Sequence, residues 1–404
     1  MRRFTFSKVR QWSLAILIGS LGFASCDDEK INPDNSSTFE LVRDDFQGEI
    51  ADGEVVLESG TYKLTGKVIV KEGATLTIKP GVRIEASTIS ANRKEIRYIA
   101  VAQGGKINVQ GTASNPVIMT ADTKKPGSWG GLVICGRAPI NKVSKDNPTQ
   151  KTETASAEVS DLTYGGSIAN DNSGSIKYLR IEYSGYSYNS EKEFNALSFF
   201  AVGNGTTVEY VQSYEGSDDA FEWFGGTVNA KYLVALNVDE ENVGDDIFDW
   251  TEGWNGTGEN WYGKRSNLGN RGIEADNNSD NYKSDPVSNP TIKNLTLIGA
   301  GTGGPEPQAI KMRVGTNGSF DNVVLSNWNV GFDIQHDESL AFVEAGQLKA
   351  TNVKFDNVVT KSKGSSTAGA TVDITKVYTE NANATGAGAG TATPDWAKGW
   401  TVGL

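Results

Sequence analysis

A phrase of the form apolar-x-x-apolar-x-apolar recurs along this chain, and nothing else constrains its fold so strongly. It reads "IKYLRI" from 176, "VEYVQS" from 208, "IKNLTL" from 292 and "FDNVVL" from 320, with a looser copy, "VNAKYLVAL", from 228. A turn and a second short run follow: "ALSFFA" at 196, "AFEWFG" at 220, "AIKMRV" at 309 and "GFDIQH" at 331. "IFDWTE" at 247 and "GIEADN" at 272 are further second runs. Equivalent second-run positions lie 24, 27, 25, 37 and 22 residues apart. A strand-turn-strand unit with a period in the twenties cannot bury its apolar face alone, but stacked copies share a continuous core, which predicts a β-solenoid. Forty-six glycines, eleven prolines and no convincing amphipathic helix agree with an all-β chain of many tight turns.

Side chains of a strand alternate faces. In the second runs the large apolar residues share one parity: Leu197 and Phe199, Phe221 and Trp223, Phe248 and Trp250, Ile310 and Met312, Phe332 and Ile334. These form the expected inward stack. The other parity gives an outward column Ser198, Glu222, Asp249, Glu274, Lys311, Asp333, and beside it Phe200, Phe224, Thr251, Asp276, Arg313, Gln335. "DDAFEWFGG" and "DDIFDWTEG" are thus one strand written on two consecutive coils, and Glu222, Asp249 and Glu274 should stack as a solvent-facing ladder. Two carboxylates one coil apart repel by roughly 3 kcal/mol at an effective dielectric near 20. A bridging cation, Lys311 and Arg313 on the following coil, or a retained proton would relieve them.

The segments "GATLTIKPGVRI", "GTASNPVIMTA" and "GSWGGLVICGRAPI" resemble the opening coils of right-handed parallel β-helix lipoproteins of Bacteroidota, in the pectate-lyase-like superfamily. The resemblance covers about residues 55 to 360 and implies a right-handed parallel β-helix. It specifies activity poorly, because this architecture carries lyases, hydrolases, adhesins and passive binders.

The first residues read as an address. Arg2, Arg3, Lys8 and Arg10 precede "SLAILIGSLGFA", an apolar run too short to span a bilayer, then small residues and Cys26. "FASC" resembles a bacterial lipobox and "CDDEK" the acidic export tag of Bacteroidota surface lipoproteins, with Phe23 in place of the usual Leu. The expected organisation is a signal peptide over 1–25, lipidation at Cys26, a tether over 26–45, the β-helix over 46–360 and a C-terminal capping segment over 361–404. In that segment Trp396 and Trp400 are expected to close the open end of the solenoid. Loss of the signal peptide takes the formal net charge from −12 to −16, which argues against nucleic acid or anionic lipid as partner. Cys135 alone then remains, so there is no disulfide framework and no thiolate metal site. A single His excludes a His-rich zinc site and argues against a Ser-His-Asp triad.

Asp218, Asp219, Asp245 and Asp246 sit in the turns before two of these strands. Oxygen-rich turns suit Ca²⁺, the expected cofactor; the alternative is that each Asp only hydrogen-bonds local backbone. In "WNGTGENWYGKRSNLGN", Trp254, Trp261, Tyr262 and Arg265, with Asp276 nearby, can form an aromatic and polar platform for a sugar ring. The alternative places Trp261 and Tyr262 in a strand of their own coil, facing the core. Three functions remain open. One is a surface protein, anchored in the outer membrane and facing outward, that binds a glycan or other nutrient for an outer-membrane importer. Another is a polysaccharide lyase or glycoside hydrolase using Glu222, Asp249, Glu274, Lys311 and Arg313. The third is a structural or adhesive solenoid.

Overall fold

The computed structural model describes residues 36–89, 95–158, 160–189, 192–238, 244–265, 269–301 and 306–404. The expected signal peptide, Cys26 and the tether up to residue 35 lie outside the described residues. The described chain is a parallel β-helix. Each middle coil contributes strands to three faces, A, B and C, joined in register to the coils on either side.

Faces A and B share one continuous strand per coil: Gly174–Glu182, Thr207–Tyr214, Asn229–Asn237, Thr257–Arg265 and Thr291–Ile298. Each bends at one residue of positive φ: Tyr178, Tyr210, Tyr232, Asn260 and Asn294, continued at Asn322 and Asn352. This bend explains the spacing of the repeated phrase. It inserts one residue between two inward positions, so Ile176 and Leu179 both reach the core across two residues. Asn tolerates the left-handed region better than most residues. The three tyrosines stack face to face, with ring centroids 4.3 Å apart. The asparagines link amide to amide, Asn294 to Asn260 at 3.1 Å and Asn322 to Asn294 at 2.8 Å.

Face C carries the second runs. Leu197, Phe221, Phe248, Ile273, Ile310 and Phe332 form one inward column, and Phe199, Trp223, Trp250, Ala275, Met312 and Ile334 the other. All of them are buried in the inner core, where aromatic rings stack from coil to coil, as Phe199 does on Trp223 at 5.4 Å.

The ends and edges differ from expectation. Residues 36–45, assigned to the tether, pack on the first coil: Phe39 meets the ring of Phe46 edge-on at 6.2 Å, and the Thr38 N–H donates to Asp52 at 2.7 Å. The parallel ladder passes 360, through the strand Lys349–Ser365 to Tyr378–Glu380. Ile374 and Val377 join the inner core beyond that last coil. Trp396 and Trp400 do not close the end. The tail runs back along the side of the solenoid, where they meet Tyr232 and the pair Tyr178 and Tyr210. The outward apolar residues Val234, Leu236, Tyr262 and Ile298 of face B attract them there, because a covered apolar strip is favoured over a wet one.

Two excursions, 136–173 and 183–196, cover the early part of face C with short antiparallel hairpins. Ile140, Ala157, Tyr164 and Phe194 from these excursions bury the outward residues Ile69, Ala100, Val133, Cys135, Phe200 and Phe224 in a second apolar cluster.

Candidate functional site

The outward column of face C is in the expected register: Ser198, Glu222, Asp249, Glu274, Lys311 and Asp333 are consecutive ladder partners. Its exposure is not as expected. Ser198 is 1 % exposed, Lys311 8 % and Asp333 0 %, and the three acids between them are only partly accessible. The excursions and the loops between coils remove much of this face from water, so the ladder is not solvent-facing.

Side-chain oxygens approach within 4.8 Å in three overlapping trios: Asp218, Asp219 and Asp245; Asp219, Glu222 and Asp249; and Asp246, Asp249 and Glu274. Asp219 and Asp246 each use one oxygen to stitch coils together. Asp219 Oδ1 accepts the Asp246 N–H at 2.7 Å, and Asp246 Oδ1 accepts the Arg271 N–H at 2.6 Å. The bonded backbone belongs to the following coil, not to the residue's own turn. Burial and mutual repulsion act together on the run. Burial, then Glu193, pushes Asp218 well above the usual carboxylate range. Asp219 rises through burial and Asp218, Glu222 through burial and Asp219, and Asp249 through burial and Glu222. Asp246 is pushed up to about 6 by burial and Asp245 against the pull of Arg271. Glu274 is pushed up to about 7 by burial and Asp246, against Arg271 and Arg313.

The positive charges gather at one end. Arg313 bonds Glu274 at 2.9 Å and Asp276 at 2.8 Å, and Lys311 lies 3.9 Å from Glu274 and 3.1 Å from Glu306. Arg271, absent from the sequence-derived candidates, does more than either. It holds Asp246 at 3.1 Å and Glu274 at 3.0 Å, and also pairs with Glu306. The repeat offsets reveal it, since Asn195, Asp219, Asp246 and Arg271 are spaced by the same 24, 27 and 25 residues as the second runs. Asn195 is the other missed residue, with its amide on Glu222 Oε2. The excursions add Lys142 and Tyr164, both bonded to Glu252, at 2.5 and 2.6 Å.

The expected sugar platform does not exist. Trp254 and Trp261 are fully buried, donate their ring N–H groups to the backbone oxygens of Val228 and Ala230, and stack on Trp223 at 4.7 and 5.0 Å. Trp261 falls on an inward position of face B between Leu233 and Leu295, so its own coil takes it into the core. Tyr262 lies under the tail and donates to the Thr391 carbonyl. Arg265 is buried and holds the Asp245 carbonyl at 2.7 Å, and Asp276 is occupied by Arg313. Beside Asp218, Asp245 and Asp246 lies a cleft, lined also by Ser213, Gly216 and Lys264, whose enclosed part admits about one water-sized group. That room suits an ion or a water and not a sugar ring.

A column elsewhere on the same solenoid offers a control. On the outer side of face A, Lys177, Glu209, Lys231, Glu259, Lys293 and Asp321 are consecutive partners, alternating in sign. Lys177 and Glu209 pair at 3.2 Å and Lys231 and Glu259 at 2.9 Å. Where a ladder needs only to be soluble and neutral, this chain alternates its charges. At Glu222, Asp249 and Glu274 it does not.

No curated protein matches the chain. The family model described as a pectate-lyase like beta helix domain matches residues 48–401, nearly all of the described solenoid, and the chain belongs to that family.

Proposed function

We propose that this protein is a lipid-anchored β-helix of the outer membrane, facing outward, that binds an extracellular ligand at the acid run of face C. The ligand is a glycan or other nutrient held with Ca²⁺ and passed to an outer-membrane importer. The observation that carries the reading is the contrast between the two columns. A partly buried run of like charges is unfavourable unless a cation or a retained proton relieves it where the chain's own Arg271, Arg313 and Lys311 do not reach, and the alternating column of face A gives no such opening. The aromatic loop no longer supports glycan recognition, so the weight falls on the carboxyls. A second reading is a polysaccharide lyase or glycoside hydrolase. It is favoured by Glu274, a carboxyl raised to about 7 with Arg271 and Arg313 against it, the state a general acid needs near neutrality.

The test has two parts. The Cys26→Ser protein should leave the membrane fraction, and antibody should label intact cells carrying the native chain. Retention of the variant in membranes removes the lipid-anchor part of the reading. The purified Cys26→Ser protein should melt at higher temperature with acidic oligosaccharides only when Ca²⁺ is present. A glycan-dependent shift without Ca²⁺, accompanied by cleavage, favours the enzyme.

A further inference from the structure

The three carboxylate trios are not equivalent, and their surroundings single one out. Arg271 and Arg313 already serve the trio that ends in Glu274, with Lys311 at 3.9 Å, so a metal ion there would sit against two guanidinium groups. In the first trio, Asp245 takes the Asn270 amide and lies by Arg265, which holds its backbone oxygen. The middle trio, Asp219, Glu222 and Asp249, has no Lys or Arg nitrogen within ion-pair distance among the described residues. Among the described residues, none donates a hydrogen bond to the Asp249 carboxyl.

Asn195 supplies the second observation. It is 3 % exposed, its Nδ2 donates to Glu222 Oε2 at 2.5 Å and to Ser198 Oγ at 3.2 Å, and its Oδ1 is buried without a partner. The two amide atoms share one carbon, so the amide that meets Glu222 also carries the unbonded oxygen at the edge of this trio. Asp219 and Asp246, which occupy the equivalent position on the next two coils, each give an oxygen to the following backbone N–H. Asn195 does not follow them. A proton shared among the carboxyls would relieve their repulsion but leave this oxygen unsatisfied. A cation would satisfy both.

We propose that Asp219, Glu222, Asp249 and the side-chain oxygen of Asn195 form a divalent-cation centre for Ca²⁺. This rests on the reading of the acid run as the ligand site and names the ion and the donors. All four donors are oxygens, as a hard cation requires. Two oxygens on opposite sides of a Ca²⁺ ion lie about 4.8 Å apart, because each bond is about 2.4 Å; Mg²⁺, with bonds of about 2.0–2.1 Å, needs a tighter cage. The trio's oxygens all lie within 4.8 Å of one another, inside that Ca²⁺ limit. Four protein donors leave two to four positions of a Ca²⁺ sphere for water or for oxygens of an outside ligand.

The experiment titrates CaCl₂, and separately MgCl₂, into the chelator-treated full chain by calorimetry, with a thermal melt of every variant to establish folding. Wild type should bind Ca²⁺ at one site and at least tenfold more tightly than Mg²⁺. Asp249→Asn and Glu222→Gln, both near-isosteric, should each weaken Ca²⁺ at least a hundredfold, and Asn195→Ala about tenfold. Glu274→Gln removes a charge one coil away but no donor, so its loss should stay below tenfold. Sensitised Tb³⁺ emission from the neighbouring tryptophans should vanish in Asp249→Asn and persist in Glu274→Gln. If Glu274→Gln costs as much as Asp249→Asn, or Mg²⁺ binds as tightly as Ca²⁺, the assignment is overturned while the acid run survives as a ligand site. If no divalent ion binds wild type, the assignment is again overturned. Retained binding of acidic oligosaccharides by that same protein would then keep the acid run as a ligand site but without Ca²⁺, and its loss would end both.

Discussion

Asp219 Oδ1 accepts the backbone N–H of Asp246 at 2.7 Å, so the acid of one coil is the fastening of the next. Asp246 repeats the arrangement with the N–H of Arg271 at 2.6 Å and adds the Arg271 guanidinium at 3.1 Å. The repeated acidic phrase therefore has two uses. Its second Asp ties coils together, and the acid three residues on builds the run.

Replacement of Asp246 separates the two kinds of bond. Asn keeps an oxygen for the Arg271 N–H and loses only the charge opposite the guanidinium. Ala loses both and strands a buried donor, which costs about 1–3 kcal/mol. Asp246→Ala should therefore unfold at lower urea than Asp246→Asn by roughly that difference. Equal destabilisation would mean that the backbone bond contributes nothing.

The raised carboxyls make a pH prediction for the chelated protein. Unfolded Asp and Glu titrate near 4, whereas folded Asp246 titrates at about 6 and Glu274 at about 7. Between about 4 and 7 the folded state holds more protons, so stability is greatest at the acid side of that window and falls as pH rises through it. Melting temperature in chelator should drop from pH 5 to pH 8, and Ca²⁺ should reduce the drop by replacing the lost protons. A melting temperature that climbs over the same range would show that these carboxyls are ionised and fully paired when folded.

The register was legible in the sequence because inward and outward parities differ so sharply on face C. Phe221 and Trp223 against Glu222 leave one arrangement. What covers the run was harder to read. The column is apolar before Ser198, at Ile69, Ala100 and Val133, and an apolar outward column signals a lid; without the earlier coils in register, that signal is invisible. Asn195 and Arg271 were legible from the offsets but lie just outside the strands, where side-chain parity gives no guidance. Trp254 and Trp261 misled for a physical reason. The bend at Asn260 shifts the inward phase by one residue, so simple alternation does not say which way Trp261 points.

Trp261 thus tests core against platform. It stacks on Trp223 and Phe248, at 5.0 and 4.5 Å, with no surface of its own. Trp261→Ala should cost about 3–5 kcal/mol, as large-to-small changes at buried aromatics do. A stable variant that fails only to bind glycan would restore the platform.

The tail poses a different question, because it packs on the outside of the solenoid. Trp400 meets Tyr178 and Tyr210 edge-on at 5.7 and 6.1 Å, and its ring N–H donates to the Trp396 carbonyl at 2.8 Å. Gln212 bonds Val402 in both directions, at 2.7 and 2.9 Å. None of these contacts reaches the inner core, whose apolar columns close without the tail. Segments attached this way open locally, at a free energy below that of global unfolding. Trp400→Ala should therefore let protease trim the chain between 381 and 404 while the solenoid melts close to its wild-type temperature, with a much smaller shift than Trp261→Ala gives. Mass spectrometry of the trimmed product, with dye binding to the uncovered Val234, Leu236 and Tyr262, reads the outcome. If Trp400→Ala instead lowers the main transition as far as Trp261→Ala, the tail is an integral part of the cooperative fold, and the outer strip of face B cannot stand in water without it.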